Sequence, residues 1–201
     1  MQEQETDQGT DRILTVPNVI TIVRLGLLPV FLWLLFAQED RASAAWLLAA
    51  LGTTDFLDGY IARHFNQVSD LGKVLDPVAD RLLFFVGVGG ILVDGSVPVW
   101  FAVIALVREA LVAGATLGLA ALGVRRIDVT WFGKAYTLML MIAFPLFLAS
   151  ESTLSWHEGA GTAALGFGIP GLILSWYSAA LYVPLARKAL RERDVAVGAP
   201  T

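Results

Sequence analysis

DFLDGYIARHFNQVSDLGKVLDPVAD, residues 55–80, decides how the rest of the chain is read. It sets four aspartates (Asp55, Asp58, Asp76 and Asp80) into the ends of two consecutive apolar segments that meet at the turn-forming Asn66-Gln67. Asp55 and Asp58 stand three apart and Asp76 and Asp80 four apart, so each pair shares one helix face. A short connection makes the two helices antiparallel neighbours, and the pairs can then face each other.

The surroundings of this stretch are those of a membrane protein. Of 201 residues 56% are hydrophobic, the mean hydropathy is +0.67, and only 16% are charged. A soluble domain carries about 25% charge, and a globule of this size cannot hide so much apolar surface from water. A disordered chain and a coiled coil are excluded as well. A net charge of -4 without a long basic run argues against nucleic acid as a partner. The absence of cysteine removes disulfides, thiolate metal sites and a cysteine nucleophile. Two histidines, His64 and His157, make a His-rich zinc site a poor fit.

Uncharged runs are mostly too short to cross a bilayer unaided, which takes about 18 residues or more; only 159–186 is long enough by itself. Six spans with charges inside their ends reconcile this: 17–37, 42–64, 70–93, 97–122, 129–149 and 162–188. The expected fold is all-α and integral to the membrane, with six transmembrane helices and a polar metal site at the cytoplasmic side. Residues 1–12 (MQEQETDQGTDR) read as a disordered acidic tail without signal-peptide character, 13–188 as the membrane domain, and 189–201 as a C-terminal cytoplasmic tail. Every Lys and Arg except Arg41 falls on the side shared by the two termini. The positive-inside rule puts that side, and both termini, in the cytoplasm.

Charges near a helix centre cost about 2.5–3.5 kcal/mol each on insertion scales, so four carboxylates would cost on the order of 10 kcal/mol. Something must neutralise them. Converging hard oxygen donors suit Mg²⁺ or Mn²⁺, and four carboxylates are about what two cations need to clamp a transferring phosphoryl group. Gly59 and Gly72 allow a ligand close to the backbone. Ala62, one turn beyond Asp58, leaves room for a flat base, and Arg63 suits bidentate phosphate binding.

Plainer readings exist. An isolated D-x-x-D-G is usually a capped turn, and lone intramembrane Asp/Arg pairs are often structural or belong to transporter relays. A cation or proton transporter would predict paired polar residues in several spans, whereas here they gather at one membrane face. A membrane scaffold explains none of the four aspartates.

The whole pattern, D-x-x-D-G-x-x-A-R-x8-G-x3-D-x3-D, resembles the signature of the CDP-alcohol phosphotransferase (CDP-alcohol phosphatidyltransferase) family. All eight fixed positions match: Asp55, Asp58, Gly59, Ala62, Arg63, Gly72, Asp76 and Asp80. At roughly one in fifteen per position, a chance match is rarer than about one in a million. The segments 14–31, 54–83, 107–111 and 129–145 resemble the branch that makes phosphatidylglycerophosphate and cardiolipin, and the closing FGIPGLILSWYSAALYVP is similar to actinobacterial cardiolipin-type members.

The resemblance implies a six-helix bacterial membrane enzyme, homodimeric, surrounded by membrane lipids, with CDP-diacylglycerol as phosphatidyl donor and two divalent ions, Mg²⁺ or Mn²⁺. By position, Asp55, Asp58 and Asp76 would hold one ion. Asp80 would share in the second and act as general base. Asp58, Gly59, Ala62, Arg63 and Gly72 would line the cytidine-diphosphate pocket, and Asp76 and Asp80 would stand nearest the chemistry. Arg108, Glu109, Lys134 and Thr137 match the branch's R-E and G-K-x-x-T elements on the acceptor side. Members that use glycerol 3-phosphate carry a further Arg seven residues after the Glu; here that position is Thr116. The expected acceptor is therefore phosphatidylglycerol. Arg125 and Arg126 keep glycerol 3-phosphate open as the alternative.

Overall fold

The computed structural model describes residues 16–65, 70–122 and 131–198; for 16–18, 55–65, 70–77, 131–132, 134, 185 and 188–198 it describes the helical backbone alone. Among the described residues every regular element is a helix: α1 Val16–Phe36, α2 Arg41–Phe65, α3 Asp70–Asp94, α4 Val99–Ala121, α5 Trp131–Ser150 and α6 His157–Gly198. Three of them contain stretches long and apolar enough to cross a membrane: Val19–Phe36, Val99–Ala121 and His157–Pro184. The apolar part of α5, Ala135–Ser150, is shorter. α2 and α3, at 25 residues each, would reach about 37 Å at 1.5 Å per residue, enough for a hydrocarbon core of about 30 Å. Their charged ends keep them out of the apolar class.

Local chemistry explains the breaks. After α1 the chain turns through Glu39, whose φ of 53° is left-handed, and Asp40 then caps α2. Its Oδ1 accepts from the Ser43 N–H at 3.0 Å, and its carbonyl accepts from Ala44. Past α3 the left-handed turn falls on Gly95, φ 83°, where no Cβ opposes it. Pro98 precedes α4 and its carbonyl receives the Phe101 and Ala102 N–H groups.

The chain divides into two compact units, Met1–Asp94 and Gly95–Thr201. In the first, α1 buries Thr21, Arg24, Leu28, Phe31 and Leu35. Alternating steps of three and four put these five on one stripe. Gly90 of α3 fits against it so closely that a Cβ there would lie 3.2 Å from Leu32 and 3.4 Å from the Phe31 ring. α2 runs antiparallel to α3: Arg41 pairs with Asp94, and a Cβ on Gly87 would meet Leu48 at 3.5 Å. Both contacts belong to one register, a heptad apart on each helix.

In the second unit α6 packs along α5 and also against α4. The α5–α6 seam is built on small residues. A Cβ added to Gly161 would meet Ser150, one on Gly168 would meet Ala143, and one on Gly171 would come within 2.9 Å of Met139 and 3.3 Å of Leu140. Small side chains let helix backbones approach where lipid offers no hydrophobic drive to associate. Phe101 of α4 is fully buried against this pair, its ring centroid 5.8 Å from that of Phe144 and 5.1 Å from that of Phe147.

Candidate active site

The signature lies on the last turns of α2 and the first half of α3. Asp55, Asp58, Gly59, Ala62, Arg63 and His64 are helical residues of α2, and Gly72, Asp76 and Asp80 of α3. Of these only Asp80 has a described side chain; the others' side chains, with those of Asn18 and Lys134, lie outside the described residues, as do Arg125 and Arg126 entirely. Among the described residues no three His, Asp or Glu side chains converge as a metal site would require.

Asp80 has a partner on α1. Its Oδ1 accepts a hydrogen bond from Nη1 of Arg24 at 3.0 Å, across 56 residues of sequence. The two ends differ in exposure: the Arg24 side chain is 2% accessible and that of Asp80 48%. α1 thus brings a buried guanidinium to a carboxylate that stays open to a ligand. From sequence, Asn18 and Arg24 on the entry helix are candidates to reach the active site, and an N-terminal cap and a lipid-phosphate contact explain them equally. The signal that singles out Arg24 is the stripe, because residue 24 falls in line with Leu28, Phe31 and Leu35 on the packed face rather than toward lipid.

A second polar cluster lies in the Gly95–Thr201 unit. Arg108 of α4 is 95% buried, yet three contacts hold it. Nε donates to the Ser175 carbonyl of α6 at 3.2 Å, and Nη1 donates to Oε2 of Glu109 at 2.9 Å. The guanidinium carbon stands 4.3 Å from the centroid of the Tyr136 ring of α5. Arg108 and Glu109, read from sequence as acceptor-side residues, are therefore together; Tyr136, which sequence reasoning passed over, completes them. Thr137 donates to its own helix at the Gly133 carbonyl, and Thr116 likewise to Ala113. His157 opens α6 and is exposed. Gly114 and Gly118, spaced as a helix-packing motif, meet nothing within 4 Å.

Among the described residues the chain is all-helical, three of its helices are long and apolar enough to cross a membrane, and the aspartate signature lies on the helical backbone of α2 and α3, the features of a membrane protein. The CDP-alcohol phosphatidyltransferase family model matches residues 14–183, so the chain belongs to the CDP-alcohol phosphatidyltransferase family. It is a transferase of phospholipid biosynthesis. Over 202 residues, 98% of this chain and 93% of the relative, it is 38% identical to a cardiolipin synthase (CMP-forming) of Streptomyces coelicolor. A putative cardiolipin synthase of Mycobacterium tuberculosis is 34% identical, over 90% of this chain and 87% of the relative. A CDP-diacylglycerol–glycerol-3-phosphate 3-phosphatidyltransferase of Rickettsia typhi is 31% identical, over 84% and 90%.

Proposed function

We propose that this protein is a cardiolipin synthase of the CMP-forming kind, transferring the phosphatidyl group of CDP-diacylglycerol to phosphatidylglycerol. The observation that carries the acceptor is the 38% identity, nearly end to end, with the Streptomyces cardiolipin synthase; Thr116, where an arginine would serve a phosphomonoester, agrees with it. The second reading, glycerol 3-phosphate as acceptor, has the Rickettsia relative and the Arg125-Arg126 pair in its favour.

The carboxylates are read as the site of two divalent cations, Mg²⁺ or Mn²⁺. The donor set suits hard cations, being four aspartates in a chain without cysteine. Two contacts between the described parts of α2 and α3, Arg41 with Asp94 and Leu48 with Gly87, step along both helices toward the signature, which is consistent with a common site. Asp55, Asp58 and Asp76 would hold one cation and Asp80 would share the second. Bound there, the cations would neutralise the aspartates and stabilise charge on the transferring phosphoryl group.

The chain's own residues supply the rest. Gly59, Ala62, Arg63 and Gly72, with Asp58, hold the cytidine diphosphate. Asp80 takes the proton of the acceptor hydroxyl as that oxygen attacks the phosphorus bearing the diacylglycerol. The bond from that phosphorus to the bridging oxygen breaks, and CMP leaves. Arg108, Glu109, Lys134 and Thr137 serve the acceptor side. We further assign six spans to residues 13–188, with 1–12 and 189–201 as tails, both termini and the aspartate end at the cytoplasmic face of a bacterial membrane, and a homodimer as the assembly.

Purified enzyme supplied with CDP-diacylglycerol and each acceptor in turn tests the assignment. Mn²⁺- or Mg²⁺-dependent release of CMP, abolished by EDTA, with cardiolipin formed from phosphatidylglycerol, is expected. Exclusive formation of phosphatidylglycerophosphate would overturn the acceptor, and metal-independent turnover would overturn the carboxylate site.

A further inference from the structure

Asp80 carries the heaviest chemical duty in the proposed reaction, and a half-exposed aspartate has several staggered positions open to it. What restrains it is on α1. Arg24 is 2% accessible, fixed within the stripe that also buries Thr21, Leu28, Phe31 and Leu35, and its Nη1 reaches Oδ1 of Asp80 at 3.0 Å. A guanidinium stays charged at any working pH and presents its donors in a rigid fork. An arginine this buried is costly unless paired, so the packing of α1 and the position of the carboxylate are tied to each other. The same helix is held further along by Gly90 of α3 against Phe31 and Leu35. The anchor therefore belongs to a rigid seam, not to a loose side chain.

We propose that Arg24 is a positioning residue of the transferase: from α1 it holds the Asp80 carboxylate by one oxygen where the acceptor hydroxyl must meet it. This rests on the reading of Asp80 as the group that takes the acceptor proton. The role carries a second consequence. Arg24 is a fixed positive charge about 3 Å from a carboxylate assigned to cation binding, so it repels a cation there and competes for the same oxygen. Orientation is obtained at the expense of metal affinity.

That opposition separates positioning from mere support. In full-length enzyme in lipid nanodiscs, Arg24→Gln and Arg24→Lys are compared with wild type for kcat and KM, and for Mn²⁺ binding by electron paramagnetic resonance. For Arg24→Gln, kcat should fall about 10- to 100-fold, the range in which misplacement by an ångström is felt. The KM for CDP-diacylglycerol should stay within about threefold, and Mn²⁺ should bind at least as tightly as before. Arg24→Lys should recover part of kcat, since one donor suffices for the contact seen. A structural role alone would weaken Mn²⁺ and donor binding together with kcat, and that pattern overturns the inference; so does an unchanged kcat. Asp80→Asn, run alongside, keeps the two readings apart. If it stays active, the assignment of Asp80 fails whatever Arg24 does; if it is inactive while Arg24→Gln is fully active, only the positioning role fails.

Discussion

Arg41 at the first position of α2 grips both carboxylate oxygens of Asp94 at the last position of α3, Nε to Oδ2 at 2.9 Å and Nη2 to Oδ1 at 3.2 Å. Such fork-on-fork pairing fixes direction as well as distance. It clamps the two antiparallel helices at the ends remote from the signature. The pair sits part way out of water, with Arg41 38% and Asp94 8% accessible. Its loss should cost more than a surface ion pair and less than a fully buried one. Arg41→Ala is expected to lower stability by about 1–3 kcal/mol, because a mostly buried carboxylate loses its principal charged donor. Thermal unfolding in detergent measures this, and Arg41→Lys, which cannot reproduce the fork, should fall between the two.

Gly168 is where α6 has no room for a side chain. A Cβ there would stand 2.9 Å from two atoms of the Phe101 ring, and that ring is itself held between Phe144 and Phe147. Because the ring cannot swing aside cheaply, Gly168→Ala should destabilise by about 1–3 kcal/mol despite alanine's better helix propensity. Gly166, two residues earlier on an open face, is the control: nothing lies within 4 Å of its would-be Cβ. Gly166→Ala should leave the unfolding temperature unchanged or raise it slightly.

Asp40 makes the start of α2 sensitive to acid. The Ser43 side chain and then its backbone N–H hold the Asp40 carboxyl below the ordinary carboxylate value. A depressed native value means that the cap's contribution is complete at neutral pH and is lost as the pH falls through that value, below about pH 4. Hydrogen-exchange protection at Ser43 and Ala44 should therefore drop in that window. Asp40→Asn, which keeps an acceptor oxygen but does not titrate, should show no such drop, and Asp40→Ala should lose protection at every pH.

Most helix boundaries were legible because their breaks carry turn chemistry that needs no tertiary context. Asp40 caps, Gly95 turns left-handed, and α1 to α5 begin and end within two residues of expectation. α6 runs past the expected span at both ends. It was expected over 162–188 and runs His157–Gly198. Glu158-Gly159 has the composition of a break, yet Glu158 in the first turn complements the helix dipole, and the Trp156 carbonyl receives the Gly159 and Ala160 N–H groups. At the far end the loss of apolar character marked the edge of the hydrophobic stretch, not the end of the helix, since arginine and glutamate continue a helix well. In the site, the four aspartates stood out because their spacing is local. Arg24 and Tyr136 make their contacts across helices, and no sequence spacing encodes a partner 56 residues away.

Arg108 joins three helices through groups that a lysine cannot replace. Nε holds the Ser175 carbonyl of α6, Nη1 holds Glu109 beside it on α4, and the flat face lies over Tyr136 of α5. An ammonium offers one point charge in place of these three contacts. Arg108→Lys is therefore expected to lose about 1.5–3 kcal/mol, the scale of hydrogen bonds from a charged donor in a buried setting. The aromatic part separates cleanly. Tyr136→Phe retains the ring and should be nearly neutral, whereas Tyr136→Leu removes the stacking surface and should cost about 0.5–2 kcal/mol. A double-mutant cycle between positions 108 and 136 isolates the pair, and a coupling below about 0.3 kcal/mol would show that the contact contributes nothing to holding α4 against α5.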